Sequence, residues 1–190
     1  AEARYLKRYS LNDNNNAFVI GAKYYQAKNS RMQGPGSSGS DADFDLAIDE
    51  FPLYANQSEY EYPNLNLALF GENIFRFGQN FSITPGFRFE YIKTQADGYY
   101  RKINTDLAGN VILDETIDED VVKERSFALF GVGLSYKPIN QLEYYGNISQ
   151  NYRSVTFNDI RTVSPSQVIA PDITDERGFT TDVGARGLLI

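Results

Sequence analysis

The chain has 190 residues, a formal net charge of −7 and a mean hydropathy of −0.44, and it contains neither Cys nor His. Those two absences exclude disulfides, thiolate metal sites and any Ser-His-Asp or Cys-His nucleophile within the chain. The acidic balance also disfavours nucleic-acid binding, which draws on clustered Lys and Arg.

The charged opening AEARYLKRYS does not read as a signal peptide. No apolar run approaches the ~18 residues of a membrane helix. Sustained helical periodicity is missing, whereas alternation of apolar and polar residues recurs.

A first strand is expected near 2–9, followed by the turn-forming run SLNDNNN. A second, near 17–28, puts Phe18, Ile20, Ala22 and Tyr24 in one register. A long polar connection near 29–62 is rich in Gly, Pro and Ser. The next strand, near 63–77, alternates Leu65, Leu67 and Leu69 against Asn64, Asn66 and Ala68. After the short GQN, a strand near 81–98 sets Phe81, Ile83, Pro85, Phe87, Phe89 and Tyr91 opposite Ser82, Thr84, Gly86, Arg88 and Glu90. A second long connection is expected near 99–124, its DETIDED run read as a repulsive exposed loop. A strand near 125–136 follows, then KPIN, whose Pro138 suits the second position of a tight turn. Strands near 141–153 and 175–187 flank a third long connection near 154–174.

Connections thus alternate short and long, the pattern of outer-membrane barrels with short periplasmic turns and long external loops. A strand of about 13 residues at ~3.3 Å each, tilted by ~40°, also reaches membrane height. The expected fold is therefore all-β, with antiparallel up-and-down strands forming part of a transmembrane β-barrel. On this reading the ring-bearing face of 81–91 touches lipid, and Arg88 and Glu90 point into a wet lumen. A soluble secreted β-sandwich acting as a binding module is the alternative, its rings then packing against a second sheet. A passive porin-type channel is another.

Three segments carry a resemblance. FGENIFRFGQNFSITPGFRFEYI, LEYYGNISQNYRSVTFNDI and DERGFTTDVGARG, in that order, resemble barrel segments of TonB-dependent outer-membrane receptors. With GSDADF in the first long connection, they are most similar to the ferric-citrate receptor branch. The resemblance implies a barrel of about 22 strands, of which this chain supplies a piece of wall. The signal peptide, TonB box and plug domain of such receptors have no counterpart in it. It further implies import of a ferric chelate, ferric citrate or a siderophore, across the bacterial outer membrane. Energy would come from TonB acting through the plug, with no covalent chemistry, no cofactor and no enzyme activity.

An anionic ferric chelate calls for Arg, Lys and amide donors high in the lumen, and Arg pairs carboxylates bidentately. The expected ligand contacts are Arg31 and Gln33 in the first connection, Arg101 and Lys102 opening the second, and Arg153 and Arg161 about the third. Asp41, Asp43 and Asp45 alternate faintly like a calcium loop but lack its Gly and bidentate Glu, so a solvated loop is expected. Glu115 and Asp118 are discounted as a glycosidase pair for want of a sugar platform. Gly131 and Gly133 of GVG have no following helix, and mark a wall position that a plug approaches closely.

Overall fold

A computed structural model describes residues 1–37, 39, 45–156, 159–160, 170 and 172–187. They form strands β1 (Glu2–Leu11), β2 (Asn14–Gln33), β3 (Ser58–Phe77), β4 (Phe81–Thr105), β5 (Val111–Ile139), β6 (Leu142–Arg153) and β7 (Glu176–Gly187). The seven strands make one sheet in chain order, and every neighbouring pair is antiparallel.

The turns at one end follow from local chemistry. Asn12 and Asp13 both take positive φ, 49° and 62°, as a two-residue primed hairpin turn requires. Gly78 takes φ 65° in the next turn, where a side chain would be strained. The third turn falls at Asn140 and Gln141, so it takes in only the last residue of the expected KPIN. Pro138 instead lies inside β5, and the register slips between Tyr136 and Ile139 because proline has no N–H for the ladder.

At the other end the strands outrun expectation. The predicted long connection 99–124 is mostly strand: β4 and β5 pair up to Thr105 and Val111, around the turn at 106–110. Asp106, Leu107, Ala108 and Gly109 close it, Gly109 N–H donating to the Asp106 carbonyl at 3.0 Å with Gly109 at φ 86°. That is a turn followed by a left-handed glycine, a common hairpin closure. β5 has 29 residues, about 95 Å of strand, against an apolar barrel band about 25 Å tall. The β4–β5 hairpin therefore stands well clear of any membrane. The first connection is 34–57 and the third 154–175, and most of the third lies outside the described residues.

The two faces of the sheet differ. One carries Ile20, Tyr24, Leu67, Leu69, Phe89, Phe130 and Leu134, between 39% and 55% exposed in this sheet. Cross-strand register places them side by side, as in the row Ile20–Gly71–Phe87–Phe130. Among the described residues no second sheet covers this face, so the sandwich alternative fails. Opposite-register positions carry Arg4, Lys23, Arg88, Glu90, Arg125 and Glu143. The buried nucleus also lies on that polar face: Tyr60, Tyr62, Ala96, Val155 and Ile160, with Val121 and Ile173 packed against it. Val155, Ile160 and Ile173 of the third connection pack there against Tyr60, Tyr62, Ala96 and Val121 of β3 to β5.

The apolar face has sharp borders. On β4 it runs from 81 to 91, about 33 Å of strand, or about 25 Å of height at a 40° tilt. Aromatic residues line its lower border, with Phe77 paired to Phe81, and Phe81 to Tyr136, which pairs with Tyr144. Above Tyr24 and Tyr91 the same face turns ionic: Lys28 meets Glu61 at 2.7 Å and Lys93 meets Glu124 at 3.0 Å.

Candidate functional site: the polar mouth

The upper polar face gathers some of the expected ligand contacts and sets others aside. Arg31, Tyr60, Gly98 and Glu119 form one row across β2 to β5. Gln33, Ser58, Tyr100 and Ile117 form the next row up, and Lys102 lies beyond it, opposite Glu115. Arg31, Gln33 and Lys102 thus share one face of three neighbouring strands. Arg31 Nη2 donates to Gln33 Oε1 at a long 3.4 Å, which leaves most of its guanidinium donors available.

Beneath them the wall is rigid. Tyr60, 1% exposed, donates its hydroxyl to Glu119 Oε2 at 2.5 Å. Burial, and then the Glu119 carboxylate, push the phenol well above its usual range, so it stays a protonated donor. Gly98 is demanded by a close approach: a Cβ there would sit 2.0 Å from the Glu59 carbonyl oxygen.

Arg101 is placed differently. It lies on the other face of the hairpin, where Nε and Nη2 reach Asp114 at 2.8 and 2.6 Å and Nη1 reaches the Pro52 carbonyl at 2.5 Å. This fork clasps the β4–β5 hairpin to the first connection, and it holds the Asp114 carboxyl below its usual range. Arg153 pairs with Glu176 at 2.8 Å on the exposed ends of β6 and β7. Arg161, Asp41 and Asp43 fall outside the described residues. Glu115 and Asp118 lie on opposite faces of β5, since side chains alternate, and so cannot flank one scissile bond.

Three features escaped the sequence reading. The first is Arg125, whose guanidinium reaches Asp175 at 2.9 Å, the Val155 carbonyl at 3.2 Å and Thr94 Oγ1 at 2.9 Å. One buried side chain thereby pins both feet of the third connection, and a carboxylate that late in the chain gives no local signal. The second is the mid-wall row Arg4–Gly21–Phe70–Arg88. The Phe70 ring lies against Gly21, with the Arg4 and Arg88 guanidinium carbons 5.5 and 5.6 Å from its centroid. Arg88 and Glu90 do share the polar face, as expected, and they pair with each other there. The third is the hairpin cap: Asp106 accepts from the N–H of Ala108 and Asn110, at 2.9 and 2.8 Å, and from Asn110 Nδ2 at 2.9 Å. DLAGN is its signal, an Asx turn with glycine at the left-handed position.

The family described as TonB dependent receptor-like, beta-barrel, matches residues 2–189. No curated protein and no solved structure matches the chain. The chain belongs to the TonB-dependent receptor family, within its β-barrel.

Proposed function

We propose that these strands form a wall of a bacterial outer-membrane receptor that imports a ferric chelate, with ferric citrate as the leading substrate and a siderophore as the other. One observation supports the membrane reading above the rest: a single sheet exposes an apolar face of membrane height, bounded by aromatic residues below and ion pairs above. Ion-paired charges and buried tyrosines occupy the opposite face. Import needs a wet, polar interior and a greasy exterior, and this sheet has that polarity.

Citrate chelates are anionic, and a mouth bearing Arg31, Gln33 and Lys102 supplies one bidentate fork, one amide and one ammonium for carboxylate oxygens. Arg153 at the end of β6 and Arg161 in the third connection stand as further contacts. Arg101 supports the site from behind through Asp114. TonB would act through a plug domain in the lumen. Gly86, Gly131 and Gly133 cluster on the polar face beside Thr84, leaving a shallow level where such a domain can approach. No covalent step is required, so the reading is transport and not catalysis.

The test is uptake of radiolabelled ferric citrate by cells whose receptor carries Arg31→Ala with Lys102→Ala. Transport should fall at least tenfold while receptor abundance holds. Unchanged uptake, with ferric citrate supporting growth in a strain deleted for the receptor, would remove the citrate assignment.

A further inference from the structure

Above the membrane band β5 outruns β6. The ladder between them begins only at Gly131, and β6 ends at Arg153. From Leu113 to Ser126, about 45 Å of strand, β5 is paired with β4 on one side. Among the described residues no strand pairs with its other side. Val155 and Ile160 of the third connection pack with Val121 on the polar face, and their backbone makes no ladder with that edge.

Parity shows which groups the edge offers. The Lys137 N–H turns toward β4 and donates to the Asn80 carbonyl at 2.7 Å, whereas the Phe130 N–H turns toward β6 and donates to Gln150 Oε1 at 3.0 Å. Even-numbered residues of β5 therefore aim N–H and C=O at the open edge, a template for another strand. Their side chains lie on the outward face: Asp114, Thr116, Asp118, Asp120, Val122 and Glu124, all exposed. Neither a proline nor a bulge interrupts this stretch.

Charge guards the edge instead, and it is charge of one sign. Arg101 holds Asp114 and Lys93 holds Glu124, but Asp120 accepts from a neutral donor, Gln95 Nε2, at 2.9 Å. Asp118 has no partner among the described residues, and β5 brings no basic side chain to this face there. A second copy laid along the edge would set acid against acid, which is destabilising. A cationic strand meets no such penalty, so the guard selects its partner. On the inner side Leu113, Ile117 and Val121 stand between Glu115, opposite Lys102, and Glu119, bound to Tyr60.

We propose that the open edge of β5 takes up an extended segment of a partner protein by strand addition. Its alternate side chains are Lys or Arg on the outward side and apolar on the inner side. Ladder hydrogen bonds supply affinity, and the acidic row supplies the choice of partner. The site lies on the hairpin outside the membrane and is independent of which chelate is imported.

The experiment uses the full-length receptor that carries residues 1–190, folded in a non-ionic detergent, and a fluorescent nine-residue peptide of alternating Lys and Val. Anisotropy should report saturable binding, and a peptide of alternating Glu and Val should show none. Thr116→Pro with Val122→Pro removes two edge donors without touching the β4 ladder, and should weaken binding at least tenfold. Asp118→Asn with Asp120→Asn should do the same. A second measurement leaves the receptor unaltered and N-methylates the peptide on its lysines or on its valines. One of these two should lose at least tenfold, because each orientation of an added strand uses one set of amides. Equal binding by the parent and both methylated peptides overturns the proposal, since adsorption by charge needs no amides. Absence of saturable binding overturns it as well. So does a wild-type receptor that dimerises while the proline variant stays monomeric, which would make a second copy the occupant.

Discussion

Arg125 and Asp175 hold the third connection against the sheet through an ion pair of 2.9 Å, their side chains 8% and 20% exposed. Asp175 also accepts from the Val155 N–H at 2.9 Å, while Arg125 donates to the Val155 carbonyl. Both feet of the connection therefore close on one arginine of β5. Above them Val155 and Ile160 are buried against Tyr60, Tyr62 and Ala96. This is a packed roof over the wall beneath the mouth.

Arg125→Ala leaves Asp175 and the Val155 carbonyl without that donor in a mostly buried place. Breaking such a pair costs about 3 kcal/mol, the lower end of the usual range because Asp175 keeps some water. Amide exchange at 153–156 and 172–176 should accelerate by roughly 100-fold while β6 and β7 stay protected. Equal exchange in the variant and the wild type would show that the apolar contacts of Val155 and Ile160 suffice.

Gly98 tests the close approach of β3 and β4. Gly98→Ala places a methyl 2.0 Å from the Glu59 carbonyl and 2.7 Å from the Tyr60 Cα, both backbone atoms that cannot swing away. A cost of about 3 kcal/mol is expected, read as a lower yield of heat-modifiable folded barrel. Gly146→Ala is the comparison, since its nearest neighbour is Val183 Cγ2 at 3.9 Å and the change there should be tolerated. Equal yields from both would mean that the two strands separate to admit the methyl.

The seven strands were legible because, inside the membrane band, one face must be apolar and the other need not be, so every second residue announces itself. The β4–β5 hairpin was not. Above Tyr91 the outer face is polar and the inner one is covered only in part, around Tyr60, Tyr62, Ala96 and Val121, so Thr116, Asp118 and Asp120 alternate with Ile117, Glu119 and Val121 without a clean period. Strand there is held by the backbone ladder and by Arg101 on Asp114, neither of which hydropathy reports. The same limit applies to the mouth. Arg31, Gln33 and Lys102 could be picked as donors from composition, but the face each occupies follows from register alone. Arg101, one position from Lys102, ends on the opposite side.

The hairpin tip should loosen in acid. The Asn110 side-chain amide, followed by backbone N–H groups of Asn110, Ala108 and Gly109, holds the Asp106 carboxyl below its usual range. A carboxylate whose folded pKa is depressed stabilises the fold above its unfolded pKa, about 3.9, and that contribution disappears as pH falls through the lower folded value. The tip should thus be closed at pH 5 and above and loosen progressively as pH falls below about 4. Amide exchange of Ala108 and Asn110 across that range measures it. Asp106→Asn, which keeps an acceptor but cannot titrate, should flatten the profile; a profile of the same steepness would assign the transition to another group.

The membrane assignment makes a prediction opposite in sign to its soluble rival. Phe130 lies near mid-height of the apolar face, in the row of Ile20, Gly71 and Phe87, and is 55% exposed in the isolated sheet. On a soluble protein, exchanging an exposed phenylalanine for arginine is neutral or improves solubility. Facing hydrocarbon, the same exchange costs about 2–4 kcal/mol at the midplane. Phe130→Arg should therefore lower the folding yield in vesicles and shift the urea midpoint downward. Asn147→Arg supplies the control: it points from the polar face, opposite Asp182, where water and a carboxylate receive the charge. That variant should fold as the wild type does. If Phe130→Arg folds equally well in lipid, the ring-bearing face does not meet hydrocarbon, and the import reading loses its support with it.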